Sequence, residues 1–322
     1  VRDFTGYIYE ALNKSDIEET SQDMTGSGIG DSDAGSQSAE ETAETESTEQ
    51  TESDFEENTE QIETDAGQEE TKNPYIREKE PYTGVPVYEN LEHIYMNTTW
   101  EYADHSAISD GYAVLYKATG QRKDIVVGVN AGHGTSGGSS VRTLCHPDGS
   151  PKSTGGSTAA GAVTAAAVSG GMTFYDGTPE SEVTLKMAEI FRDRLLSEGY
   201  DVLMIRDSSD VRLDNVARTV ICNNVADCHI SLHWDGDGLS YDKGCFYIAV
   251  PDAIKDMSPV ADHWQQNDSL GASLVDGLRG QGAKIHGSGS MAIDLTQTSY
   301  STVPSVDMEL GNASSDHSDA AL

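Results

Sequence analysis

Apolar side chains fall into periodic runs only beyond about residue 82, and those runs predict strands alternating with helices. Order is expected to begin at residues 82–87, after Pro74 and Pro81. Residues 91–117 read ambiguously, as a helix joined to a short strand at 113–116. Residues 124–130 form a continuous apolar run of strand length, which predicts a buried strand feeding the loop Gly132-His133-Gly134. The stretch 135–177 is rich in Gly, Ser and Ala and is expected to be an ordered insertion or flap. Thr178-Pro179-Glu180 then opens a helix, since Thr suits an N-cap and Pro the first helical position. Val183, Met187, Ile190, Phe191 and Leu195 recur at helical spacing until Gly199 stops the run.

Strands are predicted next at 200–206, 228–233, 244–250 and 303–309, with helices at 211–225 and 263–279. Such alternation predicts an α/β fold, a mainly parallel twisted sheet flanked by helices in the phosphorylase/hydrolase-like manner. Open sheets of this kind carry their chemistry beyond the C-terminal ends of the strands. His133, His233 and Glu309 fall at such ends, and Glu180 falls in the first turn of a helix. No internal repeat is visible.

Charge divides the chain. Residues 15–71 hold 20 Asp and Glu with no Lys or Arg, among Thr, Ser, Gln and Gly. Too little apolar surface is available there to offset chain entropy, so residues 1–80 are expected to be a disordered acidic linker. Most of the net charge of −35 belongs to that linker. A balance this acidic gives no support to nucleic-acid binding. The uncharged run 153–175 is too weakly hydrophobic for a membrane span. The chain starts at Val1, and a long Thr/Glu/Ser spacer suits an extracellular or cell-wall protein whose export signal is not in this fragment. Cys145, Cys222, Cys228 and Cys245 allow three disulfide pairings, but their spacing matches no zinc finger. We expect buried free thiols, with Cys228 and Cys245 in neighbouring strands.

Two imidazoles and one carboxylate are the ligand set of a catalytic zinc with one position left open, and the quartet His133, Glu180, His233 and Glu309 contains such a set. A further glutamate beside the open position could handle protons. Each position also has an ordinary reading: Gly-His-Gly occurs in loops, a strand-end His can be structural, and a first-turn Glu is favoured by the helix dipole. The other histidines are assigned structural roles. His229 shares a strand face with His233 but lies too far along it to join a small metal site.

Together and in order, these stretches resemble the zinc-dependent N-acetylmuramoyl-L-alanine amidases of bacterial cell walls. The resemblance rests on residues 127–134, Pro179-Glu180 before Val183-Thr184-Leu185, Gly199-Tyr200-Asp201-Val202 with Arg206, Arg218 with Asn223-Asn224, residues 230–233, Asp294-Leu295-Thr296, and Val303-Pro304 leading to Glu309-Leu310-Gly311. It implies zinc (Zn2+) held by His133, Glu180 and His233. It also implies hydrolysis of the amide between N-acetylmuramic acid and L-alanine in peptidoglycan, with water activated on the metal and Glu309 as general base and acid. Asp235, Asn223 and Arg218 are candidates for orienting the imidazoles or contacting substrate, and the insertion for restricting access to the site. Trp234-Asp235 departs from the family pattern, in which a small residue and Asn are common. The division expected is 1–80 linker, 81–123 lead-in and 124–322 catalytic domain, truncated at its C-terminus because family members continue into a final helix. The alternatives are a zinc peptidase acting on stem peptides, a non-catalytic cell-wall or sporulation binding module, and an acidic tail that is itself the working part.

Overall fold

A computed structural model describes residues 88–322. The acidic linker and the expected start of order at residues 82–87 lie outside the described residues. Eight strands form one sheet in the order β1-β2-β6-β3-β7-β10-β8-β9. These are β1 (Tyr88–Tyr95), β2 (Tyr112–Ala118), β3 (Val126–Ala131), β6 (Asp201–Met204), β7 (Cys228–Asp235), β8 (Cys245–Ala249), β9 (Ile285–Ala292) and β10 (Ser305–Asn312). A separate hairpin pairs β4 (Arg142–Leu144) with β5 (Thr164–Ala166). The helices are α1 (Glu180–Ser197), α2 (Asn215–Val225), α3 (Trp264–Gly280) and the short α4 (Thr296–Tyr300).

The central strands β6, β3, β7 and β10 run parallel, as the alternating pattern predicts. β2 is antiparallel to β6, β8 is antiparallel to β10, and β9 is parallel to β8. Alternation along each strand sorts the two faces. Val127, Val129 and Ala131 of β3, with Ile230 and Leu232 of β7, pack against Phe191 and Leu195 of α1 and Leu270 and Leu274 of α3. Leu203 and Ile205, on and just after β6, meet Ala217, Ile221 and Cys222 of α2 on the opposite face. Gly128 lets α2 approach there, because a Cβ would sit 2.7 Å from the Cys222 Sγ.

Several expectations need correcting. Residues 91–117 contain no α-helix; β1 and β2 form an antiparallel pair there. The short strand expected at 113–116 lies within β2, which is longer and buried along most of its length. Pro179, not Thr178, holds the cap position of α1, and no side chain caps that end. α2 starts at Asn215 because the Asp214 carboxylate caps it, accepting from Ala217 N at 2.8 Å. Cys228 and Cys245 are not in neighbouring strands, since β10 lies between β7 and β8. All four cysteines are free and buried.

The insertion is not a free flap. Beyond the β4–β5 hairpin, His146 Nε2 lies 2.9 Å from the Asp294 carboxylate, which also accepts from Ser153 N and Oγ at 2.7 and 2.9 Å. Asp294 follows β9, which runs against β10, so the tip is clasped at the sheet end opposite the ends of β7 and β10. The insertion's first residues, Thr135 and Ser136, and its last segment around Ser169 lie together at the other end of the sheet.

Candidate metal centre

β3 ends at Ala131, and the chain turns through Gly132 so that His133 adopts φ 65°, a left-handed conformation unusual for a side-chain-bearing residue. Two buried arginines hold that turn. Arg218 donates to His133 O at 2.5 Å and to Ala131 O at 3.2 Å. Arg206 donates to Gly132 O and Ser181 O at 2.9 and 2.8 Å, joining the turn to the first turn of α1. Glu180, the first residue of α1, is thereby brought beside His133.

Three donor atoms converge. His133 Nε2 lies 2.8 Å from Glu180 Oε1, His233 Nδ1 lies 3.0 Å from the same oxygen, and the two nitrogens are 3.0 Å apart. The rings stand edge to face at 88°. Among the described residues this is the cluster of His, Cys, Asp or Glu whose geometry suits a metal ion. Its hydrogen bonds fit that use. His133 Nδ1 is 2.9 Å from Ser169 O, which only accepts, so Nδ1 carries the proton and the Nε2 lone pair faces the cluster. Glu180 is fixed by Trp234 N to Oε1 at 3.0 Å and Met172 N to Oε2 at 2.8 Å. Two imidazole nitrogens and a carboxylate oxygen at such spacing form a donor set that could hold a metal ion.

Electrostatics separates the acids. Burial raises Glu180, but hydrogen bonds from His133 and His233 outweigh it and hold the carboxyl well below the usual range. Glu309 is pushed well above its ordinary value by burial first and Asp307 next. It sits on β10 in register with His233 of β7, and its Oε2 is buried with no hydrogen-bond partner. Burial lowers His233, yet Asp307, Glu180 and Glu309 carry it up to about 10.

The structure thus brings His133, Glu180, His233 and Glu309 together. The accessory candidates fare differently. Asp235 forms an ion pair with Lys243, which also reaches Asp237 at 3.1 Å; no hydrogen bond or ion pair joins Asp235 to either imidazole, so the orienting role expected of it is corrected. Asn223 ties α2 to the Tyr300 carbonyl and the Thr302 amide, away from the cluster. Arg218 acts on the His133 backbone and its turn. Sequence reasoning missed Ser169, Met172 and Asp307. The first two come from a Gly-rich segment without periodicity, whereas Asp307, two residues before Glu309 in a strand, was available from alternation.

A groove of about 250 Å³ is walled by Gly134, Ser136, Val168, Ser169, Ser181 and Ser209 among others; none of the four converging side chains lines it. The N-acetylmuramoyl-L-alanine amidase family model matches residues 127–322. Similar solved structures include the N-acetylmuramyl-L-alanine amidase of Mycobacterium smegmatis, at 18% identity and TM-score 0.45, covering 59% of this chain and 83% of that one. The apo form of the corresponding amidase of Mycobacterium abscessus is 20% identical with TM-score 0.46, covering 62% and 93%. No curated protein matches the chain.

Proposed function

The chain belongs to the N-acetylmuramoyl-L-alanine amidase family of enzymes, and from that premise we propose that it hydrolyses the amide between N-acetylmuramic acid and L-alanine in peptidoglycan with the help of zinc. The observation that carries this reading is the convergence of His133 Nε2, Glu180 Oε1 and His233 Nδ1 at 2.8–3.0 Å, with Glu309 on the adjacent strand beside His233.

His133, Glu180 and His233 hold the ion. Zinc at such a site supplies Lewis acidity, polarising an amide carbonyl and bringing the pKa of water from about 15.7 toward roughly 7. Glu309 is the proton carrier: as a carboxylate it takes a proton from the attacking water, and as an acid it returns that proton to the departing α-amine of alanine. Its buried, partnerless oxygen favours holding a proton between those steps. Residues 124–322 carry all four side chains, and β1 and β2 extend their sheet. With peptidoglycan as partner, the enzyme works at the cell wall. No helix of the described residues is long and apolar enough to cross a membrane.

The test is zinc content with muropeptide release for the parent, Glu309→Gln and His133→Ala. One zinc in the parent and in Glu309→Gln, with new alanine N-termini from the parent alone, is expected. Cleavage inside the stem peptide would support the zinc-peptidase alternative, and zinc binding without any product would support a wall-binding module.

A further inference from the structure

The two imidazoles present different nitrogens to the cluster, and each nitrogen left over needs a partner to fix its tautomer. His133 uses Nε2 and has Ser169 O behind Nδ1. His233 uses Nδ1, so its Nε2 faces away, and the ion-pair partner of that nitrogen among the described residues is Asp307 Oδ2 at 3.8 Å. Asp307 shares the β10 face with Glu309 and lies opposite Ser231, two residues before His233 on β7. Its carboxylate is nearly enclosed, with the side chain 11% exposed. Its Oδ1 is buried without a hydrogen-bond partner. A carboxylate so placed costs folding free energy unless it serves something.

We propose that Asp307 is the positioning residue for His233: its carboxylate stands 3.8 Å from Nε2, an electrostatic contact longer than a hydrogen bond, and its charge favours the tautomer with the proton on that nitrogen, leaving a more basic Nδ1 lone pair pointing at the donor cluster. This rests on the reading of His133, Glu180 and His233 as a zinc centre. The two histidines are thereby backed unequally, one by a neutral carbonyl and one by an anion. A carboxylate behind an imidazole ligand both orients the ring and strengthens it as a donor, and loss of such a partner costs about 10- to 100-fold in metal affinity.

The role separates from a structural one by its readouts. Asp307→Leu removes one partner of a buried pair and is expected to lower metal-free stability, so stability alone decides nothing. Zinc affinity and the Nε2–H signal of His233 are the quantities that a merely structural role would leave unmoved. The test takes the full chain as parent, Asp307→Leu and Asp307→Asn. Zinc affinity is measured by chelator competition, metal-free thermal unfolding is followed, and the ring-nitrogen resonances of His233 are read by 15N NMR with zinc bound. The expected result is zinc binding about 10- to 100-fold weaker in the Leu variant. Asn, whose amide oxygen still accepts, restores part of the affinity, and the Nε2–H signal of His233 shifts or broadens in the Leu variant. Parent-like affinity and an unmoved Nε2–H signal in both variants would overturn this role and leave the zinc centre standing. A lower metal-free Tm with unchanged affinity would reassign Asp307 to folding, and a parent that binds no zinc would overturn both readings.

Discussion

Gly132→Ala tests the geometry of the centre most directly. The added Cβ would lie 2.2 Å from Cε1 and 2.6 Å from each ring nitrogen of His233. Ordinary carbon contacts begin near about 3.5 Å, so either the ring or the backbone must retreat by about 1 Å. The backbone is the stiffer of the two: Gly132 N donates to Leu232 O at 3.1 Å, and Gly132 O accepts from Arg206 and from Thr184 Oγ1, both at 2.9 Å. The imidazole therefore moves. Metal–nitrogen bonds tolerate roughly 0.2 Å, so a displacement of about 1 Å removes His233 as a donor and leaves two. Zinc binding is expected to weaken by at least about 100-fold, or about 2.7 kcal/mol.

Overpacking alone costs about 1–3 kcal/mol of stability, so the experiment includes a matched clash elsewhere. Gly271→Ala on α3 would place a Cβ 2.3 Å from the Tyr247 ring of β8. Chelator competition and metal-free thermal unfolding are measured on both variants. Both should lose stability, and only Gly132→Ala should lose zinc. Zinc held by Gly132→Ala within about threefold of the parent, below 0.7 kcal/mol, would refute the reasoning, as would an equal zinc loss in Gly271→Ala.

Burial, and secondarily Arg218, lowers His229 from 6.5 to about 3. The unfolded chain therefore binds a proton at higher pH than the folded one, and the stability tied to a neutral His229 is complete above pH 6.5 and drains as pH falls toward 3. Urea unfolding across that window should show the parent losing on the order of 1.4 kcal/mol per pH unit relative to His229→Phe; parallel curves would remove the argument. Burial also raises all four thiols, Cys228 to about 12 and Cys245 to about 11. Iodoacetamide at pH 8 should leave the native chain unlabelled and modify four cysteines after denaturation, and rapid labelling of any native thiol would contradict its burial.

The donor positions were legible because the central strands end where polar chemistry begins. Residues 124–130 form a largely apolar run and 228–233 alternate Cys228, Ile230 and Leu232 with His229, Ser231 and His233, and a histidine follows or ends each strand-length run. The N-terminal pair was legible only in part: the short strand expected at 113–116 lies within β2, whereas the helix expected ahead of it is replaced by strand β1. β9 was invisible because an edge strand reading IHGSGSMA has no apolar face to announce it. The insertion concealed its roles because they are played by backbone atoms, the Ser169 carbonyl and the Met172 amide, which no residue identity encodes. Asp235 misled because proximity in sequence to His233 is not proximity of side chains. Lys243, eight residues further on, captures it.

Residue identity also says nothing about how two glutamates at one site come to behave oppositely. Glu180 accepts two backbone amides and faces two imidazoles, so its charge is stabilised at nearly every lone pair. Glu309 has one oxygen with no partner and has Asp307 beside it, so its charge is opposed from two directions. The first arrangement favours the ionised form and the second the protonated one. A group that must hold a cation gains from permanent ionisation, whereas one that must receive and release a proton gains from having its charged form made costly. The division of labour between holder and carrier follows from where the hydrogen-bond donors stand: in the insertion's last segment (Met172 N) and at the end of β7 (Trp234 N) for Glu180, and nowhere around Oε2 of Glu309 among the described residues.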